Sequence, residues 1–364
     1  MDKKIMLCDN LKYYREKNNL TQTELADIIC FSPKSISKWE SGKGIPSVET
    51  TAELAEVFHI SIGELIYGES SETYYLAIDG GGTKTLFVLA DAYGNVLKTV
   101  KRGSSNPNDI GMENAKLILG DGIREACNGY FYRDISAYAG ISGGKTGNNC
   151  DVLNKYLGRF GFKSFNNGSD IDNVVALGDG CDAVYVILGT GIIAYAKSGN
   201  RIKRISGWGQ LFDDGGSGYN LGRDAIHADL MYIDGIGQKT LISELIRKRI
   251  GESCDEHLQE FYKRGKRYIA SFSEIVFEAY LNGDPAANDI LKRNMKAVAE
   301  IVNTGCGFIR KESVNVFFVG GISERADIVF PIIKKYLNNT TINLKTFDRE
   351  PVYGALKLAM KGRL

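Results

Sequence analysis

The sequence predicts a small all-helical domain followed by a larger α/β domain that consists of two similar halves. In the first seventy residues, short helical stretches are joined by tight turns that carry helix-capping residues. From residue 74 onwards, short apolar runs are joined by glycine-rich turns and separated by helical patterns. A strand, a Gly/Thr turn and a second strand occur at residues 74–90 and again at 183–197, which indicates an internal duplication.

The composition limits the class of protein. A chain of 364 residues is long enough for two or three domains, and 43% hydrophobic with 24% charged residues is typical of a soluble protein. A net charge of +1 means that any contact with DNA must come from a local patch. The seven cysteines are scattered without C-x-x-C spacing, and no apolar run approaches the ~18 residues of a membrane span. We therefore expect a cytoplasmic protein with reduced thiols and no membrane partner.

The N-terminal segment carries the start and stop signals of four short helices. Helix formers over residues 11–17 end at two asparagines. Thr21 with Glu24 forms a capping box that begins a helix through residue 29. Ser32-Pro33 opens a helix over residues 34–40, and Ser47 opens one over residues 48–58.

Residues 7–66 resemble the Cro/C1-repressor (Xre-type) helix-turn-helix family. The resemblance rests on the Leu-Thr-Gln run at residues 20–22, the Ile-Ser-Lys-Trp-Glu-Ser-Gly run at residues 36–42 and Pro46. It implies that the domain binds DNA, commonly as a dimer, with Trp39 in the core. It also implies a set of DNA contacts: Gln22 on a phosphate, and Pro33, Lys34, Ser35, Ser37 and Lys38 facing the groove.

A helical bundle that serves protein contacts is the alternative for this domain. Residues 1–67 hold 8 Lys and Arg against 10 Asp and Glu, so their net charge does not favour DNA. A local basic face partly compensates; it consists of Lys12, Lys17, Lys34, Lys38 and Lys43.

The larger domain is organised around the glycine-rich stretch at residues 77–85. Its successive glycines allow close approach of a ligand and let backbone N–H groups converge on an anion. The stretch is not a Walker A sequence, which needs Gly-x4-Gly-Lys-Ser/Thr, and it is not a Rossmann fingerprint, because a strand follows it. Asp79 is suited to hold a hydrated Mg²⁺, and the other residues are candidates for phosphate binding: Gly80, Gly81, Gly82, Thr83, Lys84 and Thr85.

Strands and helices alternate through the rest of the domain. Strands are predicted at residues 96–101, 135–141, 163–169, 183–188, 192–197 and 316–319. Helices are predicted at residues 112–127, 151–160, 174–177, 224–231, 241–250, 271–280, 286–309 and 351–360. The Lys/Arg run at residues 263–267 is interpreted as a solvated face that could also contact DNA. The paired glycines Gly320 and Gly321 follow a buried strand, where a flat ring can approach the backbone.

Taken together, these motifs resemble the actin/heat-shock-chaperone/sugar-kinase superfamily over residues 74–360. Within it they are most similar to N-acetylglucosamine kinases and the BadF/BadG/BcrA/BcrD-type ATPases. The resemblance implies a two-lobed actin-like ATPase (ribonuclease H-like) α/β fold that uses ATP and Mg²⁺. The expected boundaries are a helix-turn-helix domain at 1–67, a linker at 68–73, a first lobe at 74–177 with 350–364, and a second lobe at 178–349.

The resemblance also assigns roles by position. The first glycine loop and Gly189-Thr190-Gly191 hold ATP phosphates, and Gly320-Gly321 hold the adenosine. Asp170 is the general base that accepts a proton from a sugar hydroxyl, with Asp172 as its rival. The implied sugar-binding residues are Asn106, Ser142, Gly143, Trp208 and Asp214.

Two departures from the family pattern leave alternatives open. Ile192 stands where the family has Ser, and Gly215 stands where it has Glu. The leading hypothesis is an ATP-dependent kinase for an N-acetylglucosamine-like sugar, joined to a dimeric DNA-binding regulator. The alternatives are a sugar-sensing repressor whose kinase-like domain binds ligand without turnover, and an ATPase that drives a change in a partner protein.

Overall fold

A computed structural model describes residues 6–68, 73–213, 215–339 and 341–361 of the chain. In these ranges no helix combines the length and the apolar character that crossing a membrane requires. The described residues form a helical N-terminal domain and two five-stranded sheets with helices packed on them.

Over residues 6–68 the N-terminal domain has five helices, one more than the sequence signals predicted. They are α1 (Leu7–Lys17), α2 (Gln22–Ile28), α3 (Pro33–Glu40), α4 (Val48–Val57) and α5 (Ile62–Tyr67). The capping box of Thr21 and Glu24 is confirmed, and Ser32 and Ser47 cap α3 and α4 as predicted. A second capping box, at Ser61 and Glu64, begins α5.

The core of this domain fixes α2 and α3 as a helix-turn-helix pair. Leu11, Leu25 and Ile36 are fully buried between the helices. Trp39 packs against this core, in agreement with the sequence analysis. Arg15 of α1 donates to Glu40 of α3 over 2.5 Å, which ties the first helix to the end of the third.

The first sheet has the strand order β3-β2-β1-β4-β5. Its strands are β1 (Tyr74–Gly80), β2 (Thr85–Ala90), β3 (Val96–Arg102), β4 (Ile135–Ile141) and β5 (Ser164–Gly168). Strands β1 to β3 are antiparallel, whereas β1, β4 and β5 are parallel. The helices that connect or follow these strands are α6 (Pro107–Ile110), α7 (Met112–Ala126), α8 (Asn149–Leu157) and α9 (Asp170–Leu177).

The second sheet repeats this topology. Its strands are β6 (Ala183–Leu188), β7 (Ile192–Ser198), β8 (Arg201–Arg204), β9 (Val314–Val319) and β10 (Ile342–Thr346), in the order β10-β9-β6-β7-β8. An antiparallel hairpin again leads into parallel strands. The duplication that the sequence indicated is therefore present in the fold. We call the first sheet with its helices lobe I and the second lobe II.

Lobe II carries most of the remaining helices. They are α10 (Gly218–Ile233), α11 (Leu241–Ile250), α12 (Leu258–Ser271), α13 (Ser273–Leu281), α14 (Pro285–Ile309) and α15 (Ala326–Lys334). Helix α12 and strands β8 and β10 were not predicted. Both strands lie at sheet edges, and β8 is fully exposed and rich in basic residues, so an apolar pattern is missing there.

The last helix, α16 (Val352–Lys361), returns to lobe I. Val352 and Leu356 pack against the face of the first sheet that presents Tyr75, Leu86 and Val88. The opposite face of that sheet packs against α7 and α8. Helix α9 contacts α16 and also packs against lobe II, so α9 and α16 lie where the two lobes join.

The helical domain docks on lobe I through an aromatic and cationic contact. Tyr67 at the end of α5 lies 5.0 Å from Phe131, ring centroid to ring centroid. The Arg133 guanidinium covers both rings, at 5.1 Å and 5.2 Å from their centroids. Phe131 and Arg133 lie within four residues of the start of β4, so the helical domain sits at the amino-terminal end of the parallel strands.

Gly354 offers a test of the crossing between α9 and α16. A Cβ at this position would overlap the backbone carbonyl of Asn173 in α9. We expect Gly354→Ala to lower the free energy of unfolding by about 1–3 kcal/mol, because the two helices would have to separate. Chemical denaturation of the purified chain measures this change.

Gly307→Ala is the matched control. Gly307 is also helical, but no atom lies within 4 Å of its Cβ position. Alanine there is expected to be neutral or to stabilise by up to about 1 kcal/mol, through helix propensity. Equal effects of the two substitutions would contradict a tight α9–α16 crossing.

Candidate active site

The candidate site lies at the edge of the sheets where the parallel strands end. In the first sheet Gly80 pairs with Ile141, and Gly140 pairs with Gly168, so three strands end at one level. In the second sheet Ile187 pairs with Val319 near the ends of β6 and β9. The carboxyl ends of parallel strands are where open α/β sheets bind ligands. All the segments predicted to bind ATP follow these strand ends.

The two Gly/Thr turns meet across the space between the lobes. The hydroxyl oxygens of Thr83 and Thr190 lie 2.9 Å apart, within hydrogen-bond distance. The Arg267 guanidinium of α12 donates to the Thr83 backbone carbonyl over 2.7 Å. The structure thus brings together the two turns that the sequence analysis assigned to phosphates.

Two side chains of the first turn are engaged elsewhere. The Thr85 hydroxyl is fully buried and donates to the Gly103 carbonyl over 2.8 Å. The Lys84 ammonium forms an ion pair with Glu350, just before α16. The backbone of the turn is closed by a hydrogen bond of 2.9 Å from the Gly81 N–H to the Lys84 carbonyl. Lys84 therefore points toward Glu350.

The paired glycines adjoin the second turn. A Cβ at Gly189 would lie 3.8 Å from the Cα atom of Gly320. Gly320 has φ of +104°, and a Cβ there would come within 2.7 Å of the Leu188 carbonyl. Only glycine fits this position without strain. The segments predicted to hold the adenosine and the phosphates are consequently continuous in space.

Asp79 is the penultimate residue of β1 and lies at the floor of this region. Its carboxylate accepts a hydrogen bond of 2.7 Å from the Asn173 amide of α9. Burial raises the pKa of Asp79 to about 7; the Asn173 hydrogen bond opposes the rise, and the nearby Asp170 charge adds to it. Sequence reasoning did not single out Asn173, although it immediately follows the two candidate bases.

The structure distinguishes Asp170 from Asp172. Asp170 is the first residue of α9, which begins four residues before the predicted start of that helix at residue 174, and Ser169 is the N-cap. Burial raises the pKa of Asp170, although hydrogen bonds from Ser169 and Ser142 oppose this. Asp172 instead accepts from the Ser169 N–H over 2.8 Å and pairs with Lys145 at 2.6 Å. Asp172 thus has a capping role, whereas Asp170 faces Ser142 at the sheet edge that carries the candidate site.

Three of the predicted sugar-binding residues cluster on lobe I. The Ser142 N–H donates to the Gly80 carbonyl over 2.7 Å, which places it beside the first glycine turn. Gly143 lies against Asn106, since a Cβ at Gly143 would overlap the Asn106 side chain. The Asn106 amide donates to Asp109 over 2.8 Å. Asp109 was not predicted from the sequence, because its role depends on this contact.

The other two predicted sugar-binding residues belong to lobe II. Trp208 is 61% exposed, and the Arg204 guanidinium lies 4.2 Å from its ring centroid. Asp214 lies outside the described residues. The neighbouring Asp213 accepts from the Gly209 N–H over 2.8 Å and from the Ser206 hydroxyl over 3.0 Å. Asp213 therefore shapes the loop that carries Trp208.

The two departures from the family pattern are accommodated by packing. Ile192 is 4% exposed and belongs to the core of lobe II. Next to Gly215, the Asn294 side chain of α14 accepts from the Gly216 N–H over 2.9 Å. A Cβ at Gly215 would lie 3.4 Å from that Asn294 oxygen. Asn294 thus holds this loop in place, and it lies on the side toward which a glutamate at position 215 would extend.

The basic run at residues 263–267 is not a uniform solvated face, which corrects the sequence interpretation. Lys263 is 78% exposed, but Lys266 is only 21% exposed. The Lys266 ammonium lies 3.7 Å from the Asp109 carboxylate of lobe I. Arg267 contacts Thr83, also in lobe I. Nothing in the local sequence distinguishes these side chains, because their partners lie more than 150 residues away.

A divalent cation fits the oxygen donors near Asp79. No group of three or more His, Cys, Asp or Glu side chains suited to a metal occurs among the described residues. Mg²⁺, however, is commonly held by one or two carboxylates together with substrate phosphates. Asp79 lies beside Asn173, whose Oδ1 is buried without a hydrogen-bond partner. These oxygen atoms suit a hard cation.

The relatives of the chain agree with this architecture. A kinase of N-acetylmuramic acid and N-acetylglucosamine from Clostridium acetobutylicum is 29% identical over 308 residues, which cover 79% of this chain and 98% of that protein. The solved structure of a candidate N-acetylglucosamine kinase from Porphyromonas gingivalis is 20% identical, covers 80% of this chain and 100% of its own, and has a TM-score of 0.66. That similarity supports the two-lobed actin-like fold.

The N-terminal domain has relatives of its own. The transcriptional activator BcrR of Enterococcus faecalis is 43% identical over 61 residues, which cover 17% of this chain and 30% of that protein. Residues 11–65 match the helix-turn-helix family. Residues 76–359 match the BadF/BadG/BcrA/BcrD ATPase family, in which ATP is the nucleotide substrate. The chain belongs to the BadF/BadG/BcrA/BcrD ATPase family and carries a helix-turn-helix domain at its N-terminus.

Proposed function

We propose that this chain is an ATP-dependent sugar kinase joined to a dimeric DNA-binding module. The acceptor is an N-acetylglucosamine-like amino sugar, as in the Clostridium acetobutylicum relative. The observation that carries the proposal is the position of Asp170. A carboxylate with a raised pKa lies at the end of β5, beside Ser142 and at the same sheet edge as the first Gly/Thr turn.

The chemistry follows from these positions. The sugar hydroxyl oxygen attacks the terminal phosphorus of ATP and gives its proton to the Asp170 carboxylate; the bond to the β-phosphate oxygen breaks, and ADP leaves. Asn106, Ser142 and Gly143 would orient the sugar, and Trp208 and Asp214 would complete its site from lobe II. A raised pKa suits a general base, since the ionised carboxylate then accepts a proton more readily.

The nucleotide would lie along the continuous segments of the two lobes. The phosphates would occupy the turns at residues 80–85 and 189–191, and the adenosine would rest on Gly320-Gly321. Asp79 would hold Mg²⁺, which neutralises phosphate charge when it is bound. Burial has raised the pKa of Asp79, so a bound cation would relieve an unfavourable charge.

The DNA-binding module would act as a dimer, because one helix-turn-helix reads only a half-site. Lys34, Ser37 and Lys38 are exposed on α3, as a recognition helix requires. Gln22 stands at the first position of α2, and its amide donates to Glu40 over 2.8 Å. That bond ties the Gln22 side chain at the start of α2 to the last residue of α3, and Gln22 could contact a phosphate from this position.

The primary test is ADP release from Mg²⁺-ATP over a panel of sugars and N-acetylated amino sugars. We expect Asp170→Asn to reduce kcat by about 10²–10⁴-fold, because the proton acceptor is lost. Asp172→Asn is the matched control; it should cost about 1 kcal/mol of stability through the α9 cap but retain turnover.

Two outcomes would contradict this assignment. If Asp172→Asn abolishes ADP release and Asp170→Asn does not, Asp172 is the base. If no sugar supports ADP release while sugars still raise the thermal unfolding temperature, the kinase proposal is wrong and the chain is a sugar sensor.

The raised pKa of Asp79 predicts a pH-dependent gain in stability for Asp79→Asn. The folded state holds the Asp79 proton up to about pH 7, whereas the unfolded state releases it near pH 4. Ionised Asp79 therefore destabilises the fold as the pH rises between these values. The thermal unfolding temperature of Asp79→Asn should exceed that of the unchanged chain by more at pH 8 than at pH 5. A difference in unfolding temperature that does not depend on pH would contradict this prediction.

The salt dependence of DNA binding tests the role of α3. Binding to a random-sequence 25-base-pair duplex, followed by fluorescence anisotropy, should weaken with added salt. Lys34→Ala and Lys38→Ala should each flatten the slope of log affinity against log salt by about 1. Lys155→Ala, an exposed lysine of α8, is the control and should leave the slope unchanged. Equal slopes for all variants would exclude α3 from the DNA interface.

A further inference from the structure

We propose that Lys266 of α12 contacts the terminal phosphate of the bound nucleotide and offsets the charge that develops there during transfer. This inference rests on the proposed kinase function. Phosphoryl transfer depends on positive charge near the transferred group, because its equatorial oxygens carry negative charge throughout.

The position of the Lys266 ammonium supports this role. It lies 3.7 Å from the place that a Cβ of Gly191 would occupy, in the second Gly/Thr turn. It also lies 3.7 Å from the Asp109 carboxylate. The other carboxylate oxygen of Asp109 lies 3.3 Å from the Cβ position of Gly82, in the first turn. Lys266 and Asp109 therefore occupy the space between the two turns.

The cation suggested by the sequence is turned away from this space. Lys84 is 46% exposed and paired with Glu350. Lys266 is 21% exposed, and its partner Asp109 is 16% exposed. A charge that is shielded from water acts more strongly on a neighbouring anion than an exposed one does. Of the two lysines, Lys266 is the better placed to act on a phosphate between the turns.

The surrounding structure holds the backbone at Lys266 in place. Gly265 interrupts α12 with φ of +65° and ψ of −156°, so the helix changes direction just before Lys266. Two residues later, the Tyr268 hydroxyl lies 2.8 Å from the His257 ring nitrogen, and Phe272 packs on the Tyr268 ring. Arg267 donates to Thr83. The segment is anchored on both sides of the cleft.

Asp109 holds Lys266 until the nucleotide binds. A carboxylate and a terminal phosphate beside the same turn repel each other. When the Lys266 ammonium moves from Asp109 to the phosphate, it offsets the negative charge of the phosphate. Lys266 forms no bond to phosphorus and transfers no proton; the phosphoryl group passes to the sugar oxygen, and the sugar proton passes to Asp170. Because Asp109 also accepts from Asn106, the same carboxylate connects Lys266 to the proposed sugar site.

The test compares nucleotides that differ only in the terminal phosphate. Binding of ADP and of a non-hydrolysable ATP analogue, each with Mg²⁺, is measured by calorimetry on the full chain. We expect Lys266→Ala to weaken binding of the analogue roughly tenfold and to leave ADP binding unchanged, with Lys266→Arg retaining much of the preference. Asp109→Asn, which keeps an acceptor for Asn106, should strengthen binding of the analogue.

Lys263→Ala is the matched control, since Lys263 lies on the same helix, pairs with Glu260 and is 78% exposed. It should change neither affinity. Equal weakening of ADP and analogue by Lys266→Ala, or no change in either, would overturn the proposal. Because binding requires no turnover, this result is independent of whether any sugar is phosphorylated. Where turnover occurs, kcat should fall about 10²-fold or more for Lys266→Ala.

Discussion

The site depends on two glycine-rich turns from separate sheets lying against each other. Each turn alone is the tip of a hairpin, and such tips are common in soluble proteins. The contact between the Thr83 and Thr190 hydroxyls places the backbones of the two turns on opposite sides of the space between the lobes. A polyphosphate has negative charge along its whole length, so it is held best by N–H groups and cations that approach from both sides. The duplicated topology supplies this arrangement, because each sheet ends its central strand in an equivalent turn.

Helix α9 connects the proposed chemistry to the core of the protein. It begins at Asp170, it carries Asn173, which holds Asp79, and it packs against α16 and the second sheet. The carboxylates are therefore fixed by the same contacts that join the lobes. This rigidity has a cost, because burial raises the pKa of both Asp79 and Asp170. Sites that are prepared for a charged ligand commonly reduce the stability of the unliganded fold.

The helical domain and the cleft lie at opposite ends of the first sheet. Tyr67 packs on Phe131 and Arg133, which precede β4, whereas the candidate site follows the carboxyl ends of β1, β4 and β5. The helical domain is therefore attached to lobe I, and the second sheet has its own helices. A movement of the lobes relative to each other would change the position of lobe II with respect to the DNA-binding helices.

The sequence by itself determined the features that depend on neighbouring residues. The capping box at Thr21, the hairpin with its glycine turn, the strand at Ile135–Ile141 and the duplicated order of elements all carry local signals, and family resemblance added the two-lobed fold. Only the tertiary structure decided which charged side chain meets which partner. Lys84 pairs with Glu350, Asp172 with Lys145, and Lys266 with Asp109, across separations from 27 to 266 residues. Strand β8 escaped prediction for a related reason: it is a fully exposed edge strand rich in basic residues, so it carries no apolar pattern. Local patterns encode local structure, whereas the partner of an ion pair is set by how the lobes pack.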